Sequence, residues 1–368
     1  MAVGEKVVIA MSGGVDSSVS ACLLHEQGYE VVGLFMRSGT QMPEPACNTD
    51  AGTPPGARRP CCGASDAADA RSVAGMLGIS FYALNCQESF DEIINYFADE
   101  YARGRTPNPC IICNAKLKFG TLLDYADAVG ARSVATGHYA RVETREGRKV
   151  LCRSADRSKD QSYALFGLEP EMLERVMFPV GGLSKPEVRA AAARFNLPVA
   201  GKPDSAEICF APDRDYAQVV RQRRPDAFAA GRVVDGSGNV MGQHRGLPHY
   251  TIGQRRGLGI AAGRPIYVTG IDAESNTVTV GDADALLCAV LEADRTRFLV
   301  DTPETFRANA KIRYLHRDAP ATIERTSACT VRVTFDQPQR AVTPGQAVVF
   351  YDRDVVLGGG WIVRGCKA

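Results

Sequence analysis

Along the first half of the chain, short apolar runs alternate with segments of helical period. Lys6–Met11, Glu30–Met36, Ser80–Leu84 and Ser133–Ala135 are strand-length runs rich in β-branched and other apolar residues. Between and after them, residues 19–27, 66–77, 91–102 and 119–129 space their apolar positions for helices. Strands separated by helix-length patterns predict a parallel sheet with helices on both faces, an α/β fold whose ligands sit beyond the carboxyl ends of the strands. Ser184-Lys185-Pro186-Glu187 opens a further helix, with Ser184 as N-cap, Pro186 in the first turn and Glu187 closing a capping box.

Past about residue 215 the texture changes. Glycine-rich turns such as Asp235-Gly236-Ser237-Gly238 separate short segments and predict a small linking domain. From Leu287 onward β-branched and aromatic runs dominate, as in 330–335 and 347–351, with turns at Thr343–Gln346 and Gly358–Gly360. These predict a C-terminal β-barrel. The expected domains are 1–214, 215–286 and 287–368. Residues 38–60, rich in Gly, Pro, Ala and Arg and without period, read as a functional loop or lid.

Composition narrows the function classes. With 368 residues, 45% hydrophobic and 23% charged, the chain is long enough for several ordered cores and contains no apolar run of membrane length. A glycine- and serine-rich loop already begins at residue 12, which leaves no room for a leader, so a cytoplasmic location is expected. In that compartment the 12 cysteines are expected to be free, catalytic or metal-bound rather than a disulfide framework. A formal net charge of +1 argues against a uniformly basic surface. Local clusters at Arg221-Gln222-Arg223-Arg224 and Arg255-Arg256 still leave room for a basic face.

The densest chemical signal is Ala10-Met11-Ser12-Gly13-Gly14-Val15-Asp16-Ser17, directly after Val7-Val8-Ile9. Glycines let backbone N–H groups approach an anion, and serines add donors at a helix N-terminus. No lysine follows the glycines and no G-x-G-x-x-G is present, so neither a Walker A loop nor a dinucleotide fingerprint fits. The stretch resembles the pyrophosphate loop of the ATP pyrophosphatases, which cleave ATP between the α and β phosphates. Thr106-Pro107-Asn108-Pro109-Cys110-Ile111-Ile112-Cys113-Asn114 sets two thiols three residues apart on a proline-stiffened loop. Alone, this C-x-x-C reads as a redox pair, half a zinc site or part of an iron–sulfur site, and no second C-x-x-C completes a structural zinc site. Cys209 lies in another loop, Lys202 to Phe210, within its stretch Asp204 to Phe210.

Taken together these stretches, with Ala135-Thr136-Gly137-His138-Tyr139, Lys159-Asp160-Gln161-Ser162-Tyr163, Gly253 to Gly259 and Thr343 to Gln346, resemble the tRNA-specific 2-thiouridylase family in order and along nearly the whole chain. The resemblance implies ATP- and Mg²⁺-dependent replacement of oxygen by sulfur at C2 of the wobble uridine in tRNAs such as the Lys, Glu and Gln acceptors. It makes Cys113 the nucleophile and Cys209 the persulfide carrier. It places ATP on residues 10–17, Met36 and Gly137, and the target base on Asn108, Pro109 and Cys110. It places tRNA on His138, Lys159, Asp160, Gln161, Arg313, Tyr314 and Gln346. It also implies a sulfur-donor protein such as a cysteine desulfurase or relay, and no membrane.

Some family members carry Asp where this chain has Cys110, so a catalytic thiol there is not general to the family. Three thiolates suffice to hold an iron–sulfur cluster with one open iron, so Cys110, Cys113 and Cys209 are also a candidate ligand set. Two rival readings share part of the pattern. One is another pyrophosphate-loop synthetase, which needs neither Cys113 nor Cys209; the other is a non-catalytic RNA-binding redox or iron–sulfur sensor. The remaining cysteines, at 22, 47, 61, 62, 86, 152, 288, 329 and 366, read as packing or surface thiols.

Overall fold

The computed structural model describes residues 4–39, 63–204, 208–211 and 215–366. The expected loop or lid at 38–60 lies outside the described residues from position 40 on. So do Cys47, Cys61 and Cys62 and, within the Cys209 motif, residues 205–207. Contacts divide the chain into two compact units, residues 1–92 with 112–215, and residues 93–111 with 216–368.

The N-terminal stretch runs β1 (Lys6–Ala10), α1 (Val15–Glu26), β2 (Glu30–Arg37), α2 (Ala64–Leu77), β3 (Ser80–Asn85) and α3 (Gln87–Ala102). A single turn α4 (Pro109–Ile112) follows, then a π-helical stretch Cys113–Gly120, α5 (Thr121–Ala128), β4 (Ser133–Ala135), β5 (Ala140–Arg145), β6 (Arg148–Arg153), β7 (Val176–Met177) and α6 (Lys185–Arg194). The sheet of the first unit has the order β3-β2-β1-β4-β7 and is parallel throughout. Its centre, β1, is buried on both faces, as a covered parallel sheet requires. Val7 and Ile9 join a core with Val19 and Leu24 of α1, Val73 of α2 and Val188 of α6. Val8 is equally buried and, by the period-two alternation, faces the opposite side, where α5 packs on β1 and β4.

Three helices begin earlier than the apolar period predicts: α1 at Val15 instead of residue 19, α2 at Ala64 instead of residue 66, and α3 at Gln87 instead of residue 91. In α1 the reason is visible. Ser18 and Ser20 return their hydroxyls to Gly14 O and Asp16 O at 2.8 Å each, so the first turn forms from polar residues that carry no apolar signal. The expected 119–129 helix likewise continues backwards as π-helix to Cys113. The wider i→i+5 turn has no residue signature, and it is enriched at functional sites.

In the second unit α7 (Tyr216–Arg223) leads into β8 (Gly231–Val234), β9 (Val240–His244), β10 (Tyr267–Asp272) and β11 (Thr277–Gly281). These form a four-stranded sheet of order β10-β11-β8-β9 around Val233, Leu258, Val268 and Val278. Then come β12 (Leu287–Phe298), β13 (Thr305–Lys311), β14 (Ala319–Arg325), β15 (Val331–Arg340), β16 (Ala347–Asp352) and β17 (Val355–Cys366). They run in the order β12-β15-β14-β13-β16-β17, and pairing of β12 with β17 closes a six-stranded barrel. Leu291, Ile323, Val333, Phe350 and Ile362 fill it. Among the described residues no helix is long and apolar enough to cross a membrane.

Candidate active site

The loop between β1 and α1 is built from its own short side chains. Ser12 N donates to Ser17 Oγ at 3.2 Å, and Ser17 Oγ in turn donates to Gly14 O at 3.2 Å. Gly13 takes φ +72°, and a Cβ there would lie 2.2 Å from the backbone oxygen of Asp66 in α2, so only glycine fits. From the next strand end, Gly137 closes on the same turn: a Cβ on it would stand 2.6 Å from Ser17 N. Ala10 ends β1, Met11 is fully buried, and Val15 is buried at the first position of α1. Met36 is the penultimate residue of β2. These positions lie at or just beyond the carboxyl ends of β1, β2 and β4, the end of a parallel sheet where ligands bind.

Charged residues from distant positions surround this loop. Lys185, at the start of α6, donates to both carboxylate oxygens of Asp16 at 2.7 and 2.9 Å and pairs with Asp204 at 2.9 Å. Tyr139 Oη donates to Asp16 Oδ1 at 2.8 Å, and burial together with the Asp16 charge pushes the Tyr139 phenol up. Asp16 thus orients the loop through Lys185 and Tyr139. Lys202 fixes the loop's other flank, donating to Gly13 O at 2.9 Å, Asp66 Oδ1 at 2.5 Å and Asp69 Oδ2 at 2.8 Å. Partial burial works against the Lys202 charge, but the Asp66 and Asp69 hydrogen bonds prevail and hold its pKa above the usual lysine value.

Asp204, at the head of the segment that carries Cys209, also receives Lys159 at 2.8 Å and Arg189 at 3.1 Å. Desolvation alone would raise its pKa, but Lys159 and Lys185 overcome it and bring the carboxyl down to about 2. A depressed carboxyl stabilises the fold above its ordinary value of 3.8, and that contribution is lost as pH falls toward 2. Carboxyl NMR is therefore expected to show Asp204 titrating near the bottom of that window. The stability gap between wild type and Asp204→Asn should narrow from pH 4 to pH 2, and a gap that stays constant would contradict the ion pairs. Asp204 is 42% exposed, so solvent screening keeps the effect small.

The two thiols singled out by the sequence both belong to the first unit and are both partly exposed. Cys113 opens the π-helical stretch, and Asn114 beside it is buried with Nδ2 donating to Ala164 O at 3.0 Å. Cys209 is followed by Phe210, whose ring meets Phe90 edge-on at 5.9 Å. Phe90 lies in the first turn of α3, just after Cys86, and Phe90 N donates to Cys86 O. Burial pushes the Cys86 thiol up, and the nearby Cys113 charge adds to the shift. The Cys209 segment therefore packs through Phe210 on the first turn of α3. Cys86, expected from sequence to be a packing thiol, is buried.

His138 shares a 2.7 Å hydrogen bond with Thr136 and is enclosed by the rings of Phe119 and Phe178. Part of its surface stays accessible, yet desolvation, assisted by Lys118, holds its pKa well below the usual value and the ring neutral. Asp160 is buried and accepts Ser154 N, Ser162 N and Ser162 Oγ at 2.9–3.2 Å, and Gln161 Oε1 accepts Tyr139 N at 2.9 Å. Both oxygens of Asp160 and the side-chain oxygen of Gln161 are thus engaged within their own unit.

In the second unit Asn108 Oδ1 accepts Cys110 N at 3.2 Å, which shapes the turn that begins α4; Pro109 is buried and Cys110 half-buried. Arg313 donates to Arg340 O, and Tyr314 is exposed beside the Lys311 ammonium. The described residues hold no group of three His, Cys, Asp or Glu side chains arranged for a metal.

Residues 5–213 match the family described as tRNA methyl transferase HUP domain, residues 218–282 its PRC-barrel domain, and residues 289–362 the aminomethyltransferase β-barrel domain. Two full-length relatives are named tRNA-specific 2-thiouridylase MnmA. The protein of Carboxydothermus hydrogenoformans is 48% identical, covering 98% of both chains, and that of Heliobacterium modesticaldum is 50% identical over 98% of this chain and 93% of its own. The chain belongs to the tRNA-specific 2-thiouridylase family. In this family member the glycines and serines of the phosphate loop are legible in sequence, whereas the parts of Lys185, Lys202, Asp66 and Asp69 emerge only from the fold. The local traces of the lysines are Lys185 in the opening turn of a helix and Lys202 at the head of the loop that carries Cys209.

Proposed function

We propose that this chain is an ATP-dependent tRNA 2-thiouridylase acting on the wobble uridine. The observation that carries the reading is the loop Ser12–Ser17, whose geometry admits only glycine at position 13, in the same compact unit as Cys113 and Cys209. Family membership supports it.

A uridine C2 oxygen is a poor leaving group, so activation comes first. The oxygen attacks the α-phosphorus of ATP, a C2–O–AMP bond forms, and pyrophosphate leaves into the loop's N–H and hydroxyl donors. Mg²⁺ would arrive with the ATP phosphates and screen their charge. Asp16, held by Lys185 and Tyr139, keeps the loop in shape rather than facing bare phosphate.

Sulfur then comes from a persulfide on Cys209, loaded by a donor protein such as a cysteine desulfurase. In one route the Cys113 thiolate attacks the inner Cys209 sulfur. A Cys113–Cys209 disulfide forms, and hydrosulfide is released to attack C2 with loss of AMP. In the other, the terminal sulfur attacks C2 itself and expels AMP, and Cys113 then displaces the product from Cys209, forming the same disulfide. A thiol reductant resets the pair before the next turnover. Asn108, Pro109 and Cys110 contact the target base, and His138, Lys159, Asp160, Gln161, Arg313 and Tyr314 border the bound tRNA. His138, held neutral, acts through contact rather than as a proton carrier.

A methyl transfer reading, suggested by the domain descriptions alone, leaves the phosphate loop without a task. The deciding experiment is mass analysis of nucleosides from tRNA incubated with the protein, ATP, Mg²⁺ and sulfide. 2-Thiouridine is the expected product; a methylated nucleoside or unchanged uridine would refute the reading.

A further inference from the structure

The loop Thr106–Pro109 cannot hydrogen-bond itself. Prolines at 107 and 109 lack N–H groups and keep the residues before them out of the helical region, so the carbonyls of Thr106 and Pro107 need donors from elsewhere. Within the second unit the barrel supplies them. Gln346, in the turn between β15 and β16, directs its side-chain nitrogen to Thr106 O at 2.8 Å and Pro107 O at 3.3 Å. Thr106 N donates back to Pro344 O at 2.9 Å in the same turn, and Ile362 N donating to Gln346 O ties that turn to β17. On the upstream side, Arg105 N donates to Glu100 O at 2.9 Å, and the Arg105 guanidinium pairs with the buried Glu100 carboxylate at 2.9 Å. Both N–H donors of the Gln346 amide are thus directed at one loop, which leaves only its oxygen for any other partner.

We propose that Gln346 is a positioning residue: its amide fixes the Thr106–Pro107 backbone so that the barrel sets the aim of Asn108 and Cys110. The resemblance to the family implied a tRNA contact for Gln346, and the two roles separate experimentally. The inference rests on the proposed function only in its activity arm, because loop order is measurable in the free protein.

The test compares wild type with Gln346→Ala and Gln346→Glu, the second placing a carboxylate against two carbonyls. Hydrogen exchange of peptides spanning residues 104–111, without tRNA, is expected to quicken by about tenfold in both variants, the size of one net hydrogen bond. Binding of unmodified tRNA should stay within about twofold. Single-turnover thiolation should slow by roughly 10- to 100-fold, as misplacement of a reacting group does. Unchanged exchange with weakened tRNA binding in Gln346→Ala would overturn the inference. So would unchanged exchange with intact thiolation. If Gln346→Glu does not fold, Gln346→Ala decides alone. If wild type makes no 2-thiouridine, the proposed function fails while the exchange result still judges the clamp.

Discussion

Replacing Cys209 with serine is expected to lower 2-thiouridine formation by about 10³-fold or more, the scale of losing a covalent nucleophile, while first-turnover pyrophosphate release from ATP and tRNA continues. Serine keeps size and hydrogen bonding but cannot carry a persulfide sulfur. The loop proposed to handle ATP runs from Ser12 to Ser17 and is braced by Lys185 and Lys202, and none of these contacts involves that thiol. Cys113→Ser should show the same loss, because both routes require its thiolate. The routes then part in what accumulates. When Cys113→Ser is preloaded with persulfide, direct attack leaves tRNA joined to Cys209 through a disulfide, whereas the hydrosulfide route leaves adenylated tRNA and an intact persulfide. Mass analysis of the protein and of the tRNA reads both. Full thiolation by either variant would remove the cysteines from the mechanism and favour another pyrophosphate-loop chemistry.

What could be read from sequence was what is local. The strand, loop and first turn at residues 6–18 announce themselves because glycine at 13 and the neighbouring serines make their contacts within a few positions. The closed barrel was legible for the same reason: Val331-Arg332-Val333-Thr334-Phe335 alternates buried and exposed as its period says. The charged frame was not legible. Lys185 meets Asp16 across 169 positions and Lys202 meets Asp66 across 136, and no window on the chain holds both partners. Asp160 and Gln161 show the converse. Their place in a loop does not reveal that the Asp160 carboxylate also accepts Ser154 and Ser162, or that Gln161 Oε1 accepts Tyr139 N. Which polar side chains stay available is decided by tertiary packing.

Lys202→Met is expected to cost about 3 kcal/mol of stability, because it leaves the Asp66 carboxylate, 5% exposed, without its cation. Among the described residues Asp66 would keep only Gly63 N on Oδ2, at 3.2 Å, and the Gly13 carbonyl would lose its side-chain donor on the turn that shapes the phosphate loop. For a unit of this size that corresponds to a melting midpoint lower by roughly 6–12 °C. Lys202 has a raised pKa, so its contribution is complete below the ordinary value of 10.5 and lost only as pH rises through the folded value. A melt at pH 7 to 8 therefore reads the whole effect. Adding Asp66→Asn to Lys202→Met should recover a sizeable part of the loss, since the buried charge goes with its partner. Affinity for ATP should remain impaired in the double variant, because Gly13 O still lacks its donor. If the single variant melts within about 1 °C of wild type, less than about 1 kcal/mol, the Lys202–Asp66 pair is not what holds the loop against α2.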